Sequence, residues 1–409
     1  MRRFLLVLIA LTALIAGAQH LLRTNRDAAV LSELAISPVT VPAAGSSGQP
    51  QLAALGGGAI LSWIERSGKL ATLKFAERTE SGWSEPRTVA SGEDWFVNWA
   101  DVPSVVPLDD GTLAAHWLQR SGLPMYAYDV RLSWSRDGGR TWTQSVTPHH
   151  DKTETEHGFA SLFQVPGAGL GLVWLDGRAT GVQGEDGEFG AMSVRAAVFD
   201  TSGQQKTELL VDDRVCECCP TTAAVTDDGI IAAFRNRTTD EIRDIYVSRF
   251  TGGKWTEPTP VHNDGWHIDA CPVNGPALAA RGRNVAIAWF TATGDHGRSY
   301  VAFSSDSGRS FGAPIRVDDV TSLGRVDVDL LDDGSAVAGW IEFADGKSGF
   351  RVRRVTPRGQ RSASQVVSAL ESGRASGYPR LVRRGDELLF AWTETGEQPR
   401  VRSAVARLP

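Results

Sequence analysis

Short apolar runs recur along this chain at a regular spacing, and seven of them close on an aromatic residue. These aromatic positions are Trp63, Trp117, Trp174, Phe234, Trp289, Trp340 and Trp392. Successive positions lie 54, 57, 60, 55, 51 and 52 residues apart. Each unit also contains a small-residue turn, a polar loop and an alternating run. Four short strands at this period are typical of a propeller blade, so the pattern predicts an all-β, seven-bladed β-propeller of four-stranded blades.

The two ends of the chain predict how the ring closes. The last unit, residues 377–409, supplies only three strand-like runs, whereas residues 34–41 look like one outer strand without a blade of its own. We therefore expect the N-terminal strand to complete the seventh blade. This arrangement removes an open sheet edge, which would otherwise invite aggregation.

The N-terminal segment has the features of an export signal. Two arginines precede an apolar stretch that ends in Ala16-Gly17-Ala18, the small-residue pattern of a signal-peptidase site. Residues 1–18 are therefore expected to be a signal peptide. An N-terminal membrane anchor is the alternative, because Leu21 and Leu22 extend the apolar stretch. Either way, the propeller, residues 30–409, is expected to be exported, as a periplasmic or secreted protein or one anchored to the inner membrane.

Composition and charge fit one large domain and argue against a nucleic-acid partner. The chain has 409 residues, of which 42% are hydrophobic, and this is enough to bury a large core. The formal net charge is −6, and no long basic run offsets it. Since nucleic-acid surfaces usually carry excess positive charge, we expect no nucleic-acid partner. Beyond the N-terminal segment, no apolar run is long enough to cross a membrane.

Two turns carry a recognisable motif. Residues 135–142 read Ser-Arg-Asp-Gly-Gly-Arg-Thr-Trp, and residues 304–311 are a close variant that ends in Phe. In such a turn the carboxylate accepts hydrogen bonds from backbone amides and glycine permits a positive φ. Both turns resemble the Asp boxes, or BNR repeats, of the sialidase superfamily, and the resemblance covers roughly residues 45–409. It implies that Asp137, Trp142, Asp306 and Phe311 are structural and lie opposite the active-site face.

The resemblance implies further features, from which this chain departs. Sialidases are six-bladed, so a six-bladed propeller is the alternative fold. The family's Arg-Ile-Pro signature before the first blade is missing. Tyr378 resembles the family's nucleophilic tyrosine, and an arginine cluster that binds a substrate carboxylate is expected from Arg178, Arg235, Arg325 and Arg380. If the chain is an enzyme, the resemblance implies a glycoside hydrolase of exo-sialidase type.

Propeller geometry places the candidate binding residues on one face. The connections between blades and the loops after the aromatic strands gather there, and such loops commonly carry binding sites. The candidates that would contact a sugar are Trp95, Trp99, Trp266 and His157, and the candidate acids are Asp101, Asp176 and Asp269. Aromatic rings can stack on sugars, and carboxylic acids can donate protons. A solvated rim of unconnected polar residues is the alternative.

All four cysteines lie in two consecutive blade connections, before the fourth and fifth blades: Cys216, Cys218, Cys219 and Cys271. Export and an even count favour two disulfides, with Cys216 or Cys218 paired across the blades with Cys271 or Cys219. A copper or zinc site that also uses His267 is the second interpretation, and no other cofactor is expected. A redox-active thiol pair is the third.

Together these patterns predict an exported, sialidase-like propeller that binds, and as an enzyme hydrolyses, a carbohydrate or anionic small ligand on the cysteine-bearing face. The first alternative is an envelope protein that handles copper or zinc through its cysteines. The second is a non-catalytic scaffold whose partner is another protein, because propellers serve many functions.

Overall fold

The computed structural model describes residues 33–167, 169–183 and 189–408. These residues form seven antiparallel sheets. The first strands of the sheets contact one another in order around a ring, and the last contacts the first. The predicted seven-bladed β-propeller is thereby confirmed over its six-bladed alternative. The predicted signal segment, residues 1–18, lies outside the described residues.

Strands are numbered along the chain, and β1 (Ile36–Val39) precedes the first blade. Blade 1 contains β2 (Ser47–Leu55), β3 (Gly58–Ser67), β4 (Leu70–Glu77) and β5 (Arg87–Gly92). Blade 2 contains β6 (Ser104–Pro107), β7 (Leu113–Arg120) and β8 (Tyr128–Ser135). Blade 3 contains β9 (His157–Val165), β10 (Gly169–Asp176), β11 (Ser193–Phe199) and β12 (Gln205–Asp212).

Blade 4 contains β13 (Thr222–Thr226), β14 (Gly229–Arg235), β15 (Ile245–Thr251), β16 (Lys254–Trp255) and β17 (Thr259–Pro260). Blade 5 contains β18 (Ala277–Arg281), β19 (Asn284–Thr291), β20 (Arg298–Ser304) and β21 (Ile315–Arg316). Blade 6 contains β22 (Thr321–Leu330), β23 (Ala336–Ala344), β24 (Lys347–Val355) and β25 (Gln365–Leu370). Blade 7 contains β26 (Arg380–Arg384), β27 (Glu387–Glu394) and β28 (Arg400–Arg407).

The outermost position varies between blades. In blade 2 a single bridge between Leu132 and Val146 stands where a fourth strand would pair. In blade 4 two short strands, β16 and β17, both pair with β15. The described residues contain no α-helix, only the 3-10 helices Thr293–Asp295 and Arg374–Ser376. No helix among them is long and apolar enough to cross a membrane.

The N-terminal strand closes the ring as predicted. β1 pairs antiparallel with β28, with Ile36 opposite Ala406 and Val39 opposite Ser403. Leu34 adds a second connection, because its backbone N–H and carbonyl bond the side-chain amide of Gln365 in blade 6, at 2.7 and 3.0 Å. The first described residues therefore bridge the last two blades.

The periodic aromatics form the core between neighbouring sheets. Trp63, Trp174, Phe234 and Trp340 are fully buried. In three blades the indole N–H donates to an acidic residue two positions later, which lies on the same side of the strand. The pairs are Trp63 with Glu65 (3.0 Å), Trp174 with Asp176 (2.9 Å) and Trp340 with Glu342 (3.1 Å). The indole ring is thus buried while its one polar group, the N–H, still has a hydrogen-bond acceptor.

The two motif turns are held by their carboxylates. The Asp137 carboxylate accepts hydrogen bonds from the Thr141 hydroxyl at 2.7 Å and its backbone N–H at 2.9 Å, and these bonds lower the pKa of Asp137. Asp306 accepts the equivalent bonds from Ser310 at 2.7 and 3.0 Å. Each turn follows the third strand of its blade, at the end of the propeller opposite the starts of the inner strands. Trp142 packs edge-on against Phe75 of the neighbouring blade.

Candidate functional site

The inner strands surround a central channel of about 520 Å³. Part of its wall is stabilised by aspartate side chains that accept hydrogen bonds from the backbone of the adjacent blade. Asp327 accepts a hydrogen bond from the Leu381 backbone N–H at 2.8 Å, and Asp329 accepts one from the Arg383 N–H at 2.6 Å. Burial raises the pKa of Asp327 to about 6. These contacts tie the inner strand of blade 6 to that of blade 7.

One end of the channel is bordered by residues with unusual backbone angles. Five blades have a residue with positive φ close to the start of the inner strand: Gln49 (52°), Phe159 (49°), Val273 (49°), Arg325 (53°) and Gly377 (60°). A positive φ is rare for a β-branched residue such as Val273. Strained residues of this kind often occur at binding and catalytic sites. We call this end the mouth, defined by Trp99, Phe159, Val273, Arg325 and Tyr378.

Aromatic rings and guanidinium groups stack at the mouth. The rings of Trp99 and Tyr378 are 6.0 Å apart and 20° from parallel. The guanidinium carbon of Arg325 lies 4.7 Å from the Trp99 ring centroid, and that of Arg374 lies 6.0 Å from it. Arg380 lies 5.3 Å from the Tyr378 ring. The mouth therefore combines a flat aromatic surface with three positive charges.

These three charges have no acidic partner within salt-bridge distance among the described residues. Arg325 donates to the carbonyls of Gly373 and Gly377, both at 3.1 Å, and to the Ser376 hydroxyl at 2.8 Å, all of which are neutral. Burial lowers the pKa of Arg325. The side chain of Arg380 donates no hydrogen bond to any described residue, and its Nε is buried. A cluster of unpaired guanidinium groups attracts carboxylate, sulfate or phosphate.

A groove of about 480 Å³ adjoins the mouth between blades 7 and 1. Trp99 forms part of its wall, together with Gln49, Arg66 and Thr393. The volume is in the range of pockets that hold small ligands. Since Trp99 contributes to both the groove and the mouth, a ligand in the groove lies close to the arginines.

Two carboxyl groups share one tyrosine beside the channel. The Tyr128 hydroxyl lies 2.6 Å from Glu156 Oε1 and 3.1 Å from Asp101 Oδ2. Burial raises the pKa of Asp101 and of Glu156 to about 7, despite the opposing hydrogen bond from Tyr128. Burial and the two nearby carboxylates raise the pKa of Tyr128 itself. Both carboxyl groups can therefore hold a proton near neutral pH.

Tyr378 is placed at the mouth but lacks the partner of a nucleophile. Its hydroxyl donates a 2.7 Å hydrogen bond to the carbonyl of Val273, and no described carboxylate hydrogen-bonds it. Burial raises its pKa further above the usual value. A nucleophilic hydroxyl requires an adjacent base or a lowered pKa, and Tyr378 has neither.

Three of the predicted site residues instead form an ion-pair cluster at blade 3 that does not line the channel. The His149 and His157 rings are parallel with centroids 3.7 Å apart, and His157 Nε2 lies 3.4 Å from Asp151 and 3.8 Å from Asp176. Arg178 donates to both oxygens of Asp176 at 2.7 Å. Since parallel imidazoles direct their lone pairs side by side, this pair is poorly arranged to share one metal ion. Asp176 and Arg178 neutralise each other.

Other predicted binding residues have structural contacts. Arg235 is buried and donates to the backbone carbonyls of Asn274, Arg243 and Phe290 at 2.8, 2.5 and 2.7 Å. Its guanidinium lies 4.9 Å from the Trp266 ring, which is also buried. Arg235 therefore stabilises the junction of blades 4 and 5, whereas the predictions placed it in a ligand site.

The remaining candidates are not among the residues that define the mouth. Trp95 is buried and stacks on Trp117 at 5.4 Å, inside the core of blades 1 and 2. Asp269 and His267 are exposed. Of the predicted set, the structure brings Trp99, Arg325, Arg380 and Tyr378 together at the mouth, with Asp101 beside the channel.

The cysteines lie close to the mouth and form one disulfide. Cys218 and Cys271 are bonded, with Cα atoms 6.0 Å apart, and they join the connections before blades 4 and 5 as predicted for a cross-blade pair. Cys216 and Cys219 are buried thiols. His267 is not among the groups of described residues whose donor atoms could hold a metal together with these sulfurs. The donor atoms of Cys216, Cys218 and Cys219 themselves lie close enough to hold a metal ion, although Cys218 is used by the disulfide here.

Sequence reasoning did not assign a role to Tyr128, Glu156 or Arg374. Tyr128 begins a strand whose pattern predicts only a core position, so nothing local shows its contact with two carboxyl groups. Glu156 is one of several acids in a polar loop. For Arg374 the sequence gives a weak indication of a binding role, since this residue lies in the same short segment as the candidates Tyr378 and Arg380.

Comparison with known proteins gives similarity at the level of fold. No protein-family model matches the chain, and no curated protein matches it. Among solved structures, a polysaccharide lyase is similar with a TM-score of 0.53 and 11% identity, over 88% of this chain and 90% of that one. This similarity supports the propeller fold over most of the chain.

Two further solved structures have lower TM-scores. An α-L-arabinanase from Penicillium chrysogenum has a TM-score of 0.47 and 13% identity, over 92% of this chain and 97% of that one. The Hadza microbial sialidase Hz136 has a TM-score of 0.44 and 15% identity, over 72% of this chain and 63% of that one.

Proposed function

We propose that the mouth binds an acidic carbohydrate, with the sugar on Trp99 and its anionic group near Arg374 and Arg380. The observation that carries this proposal is the set of guanidinium groups stacked on Trp99 and Tyr378, none of which forms a salt bridge with a described carboxylate. An aromatic surface suits the apolar face of a sugar, and guanidinium groups bind carboxylate or sulfate through paired hydrogen bonds. From the N-terminal segment we also propose that this binding takes place outside the cytoplasm.

Binding by variants tests the proposal. Isothermal titration with uronate-bearing, sulfated, sialylated and neutral glycans would identify the ligand of the wild type. Trp99→Ala and Arg374→Gln should each weaken binding of the acidic ligand about tenfold, which is the loss of about 1.4 kcal/mol from a stacking or charge contact. Arg374 is a suitable position because it is exposed and makes no salt bridge with a described residue.

Arg140→Gln is the matched control for Arg374→Gln. Arg140 is an exposed arginine in the motif turn at the opposite end of the propeller. Its replacement removes the same charge and should leave affinity unchanged. Equal losses for both arginine variants would show only an effect of net charge. A wild type that binds no acidic glycan at millimolar concentration would refute the proposal.

Hydrolysis is a second candidate function, favoured by the carboxyl groups of Asp101 and Glu156. Both have a pKa of about 7, and a general acid must hold its proton near the working pH. The test is release of reducing ends from the glycan that binds, followed from pH 5 to 8. We expect Glu156→Gln to lower the rate at least a hundredfold. Binding without any release by the wild type would limit the function to recognition.

A further inference from the structure

The four cysteines are arranged in two layers at the mouth. The bonded pair is the outer one, since Cys271 is exposed and Cys218 is partly exposed. The thiols of Cys216 and Cys219 lie beneath it, with exposures of 0% and 1%. Solvent therefore reaches the disulfide but not the two thiols.

The sulfur atoms are close enough to exchange bonds. Cys216 Sγ lies 2.7 Å from Cys219 Sγ and 3.8 Å from Cys218 Sγ. A disulfide bond measures about 2.05 Å, so a shift of less than 1 Å would bond Cys216 to Cys219. Thiol–disulfide exchange proceeds by attack of a thiolate on a disulfide sulfur. Cys216 thus has a possible bond partner in each layer.

The charges around Cys216 favour its thiolate form. Arg243 Nη1 lies 3.5 Å from Cys216 Sγ, and the Arg243 side chain is almost fully buried. Burial raises the pKa of Cys216, but the bond from Cys219, the Cys218 N–H, Arg235 and Arg243 outweigh burial and bring it to about 7. Burial and the neighbouring Cys216 raise the pKa of Cys219. Such asymmetry is typical of the Cys-x-x-Cys pairs of oxidoreductases, and Cys216 and Cys219 have this spacing.

We propose that the four cysteines form a thiol–disulfide relay that moves a disulfide between the surface and the interior of the mouth. First, the Cys216 thiolate attacks Cys218, the Cys216–Cys218 bond forms, and Cys271 leaves as a thiolate. Then Cys219 loses its proton and attacks Cys216, so that the Cys216–Cys219 bond forms and Cys218 leaves. The protons released by the attacking thiols are taken up by the leaving thiolates. No electrons are gained or lost in these two steps.

The relay exposes a reducing dithiol to a partner protein. Once the bond lies between Cys216 and Cys219, the thiols of Cys218 and Cys271 are at the surface. They can reduce a disulfide of another exported protein: the Cys218–Cys271 bond re-forms, the partner's disulfide becomes two thiols, and two electrons pass to the partner. A dithiol protein is then required to return the relay to its starting state. The partner class is therefore a protein that exchanges disulfides with this one.

Native-state alkylation tests the relay in the full-length protein. Wild-type protein isolated with two disulfides is first treated with one equivalent of dithiothreitol without oxygen, which leaves one disulfide per molecule, whereas the three-cysteine variants hold one disulfide at most and are not reduced. N-ethylmaleimide then reacts with the native protein before denaturation and peptide mapping. In the wild type we expect labelled Cys218 and Cys271 with an internal Cys216–Cys219 bond. Cys219→Ser should instead trap the Cys216–Cys218 bond and leave Cys271 labelled. Cys216→Ser should leave the outer disulfide closed and both of its cysteines unlabelled.

The labelling rate tests the charge assignment. Arg243→Gln should slow labelling of Cys271 about tenfold at pH 7, because less Cys216 is thiolate. Arg237→Gln is the matched control, since Arg237 pairs with the same Glu217 and Glu241 but does not contact Cys216. It should leave the rate unchanged. The relay would be overturned if the wild type kept the Cys218–Cys271 bond closed for hours, or if Cys216→Ser labelled Cys271 as fast as the wild type.

Discussion

At the residue scale, the most informative group is the buried carboxyl of Asp101. Its pKa is about 7 in the folded protein, whereas a free aspartic acid titrates near 3.9. Between about pH 3.9 and pH 7 the folded state binds more protons than the unfolded state. The free energy of unfolding must therefore fall as the pH rises through this interval. The charged form of Asp101 therefore destabilises the folded state at neutral pH. Buried groups with such a shifted pKa often occur at functional sites, so Asp101 is a candidate for function.

The change Asp101→Asn should remove this dependence on pH. We expect the free energy of unfolding of the wild type to decrease between pH 5 and pH 8. In the variant the decrease should be smaller, by roughly 2–3 kcal/mol, since only about two of the three pKa units of the shift lie above pH 5 and each corresponds to about 1.36 kcal/mol. Urea unfolding at a series of pH values measures the difference. Asp345→Asn, at an exposed turn, is the control and should follow the wild type.

Residue roles could be predicted from the sequence only where the local pattern contains the partner. Asp137 and Asp306 could be assigned to their turns because every bonded group lies within four residues. Asp176 and Arg235 could not, because their surroundings depend on how strands and blades come together. An acid recurs two positions after a core tryptophan, as in Trp174 and Asp176. This recurrence in the sequence would have predicted a structural role for Asp176.

At the element scale, the pairing of the N-terminal strand could be predicted from the sequence, whereas the backbone conformation at the starts of the inner strands could not. The pairing of β1 with β28 follows from counting strands, because the last repeat lacks one. The positive-φ residues near the starts of the inner strands, such as Gln49 and Val273, could not be predicted. Neither residue type favours that conformation, so the surrounding packing imposes it.

Removal of the N-terminal strand should destabilise the whole ring. Deletion of residues 30–45 removes β1 with its 4 residues of pairing to β28 and the contacts of Leu34 with Gln365. With about 1 kcal/mol for each net backbone hydrogen bond, the loss should be several kcal/mol. It should lower the melting temperature by about 5 °C, because the unfolding entropy of a ring of this size is about 0.8 kcal/mol/K. Differential scanning calorimetry measures this shift. A deletion variant that melts at the wild-type temperature would show that the ring closes without β1.

At the scale of the whole molecule, the sequence period predicts the propeller and its seven blades, but the site depends on residues from several blades. Trp99 lies before blade 2, Arg325 in blade 6 and Arg374 before blade 7, and only closure of the ring brings them to one mouth. The cysteines of the connections before blades 4 and 5 reach the same end. The two proposals therefore concern neighbouring parts of one face: acidic carbohydrate at the arginines and disulfide exchange at the sulfurs.

A comparison of two forms of one ligand tests directly whether the mouth binds an acidic carbohydrate. The affinity for an acidic glycan is measured by titration calorimetry next to that for the same glycan after its acidic groups have been converted to neutral ones. If the arginines at the mouth hold the anionic group, the neutral form should bind at least tenfold more weakly to the wild type, and Arg374→Gln should reduce this ratio. Equal affinity for the two forms would show that these arginines do not bind the anionic group.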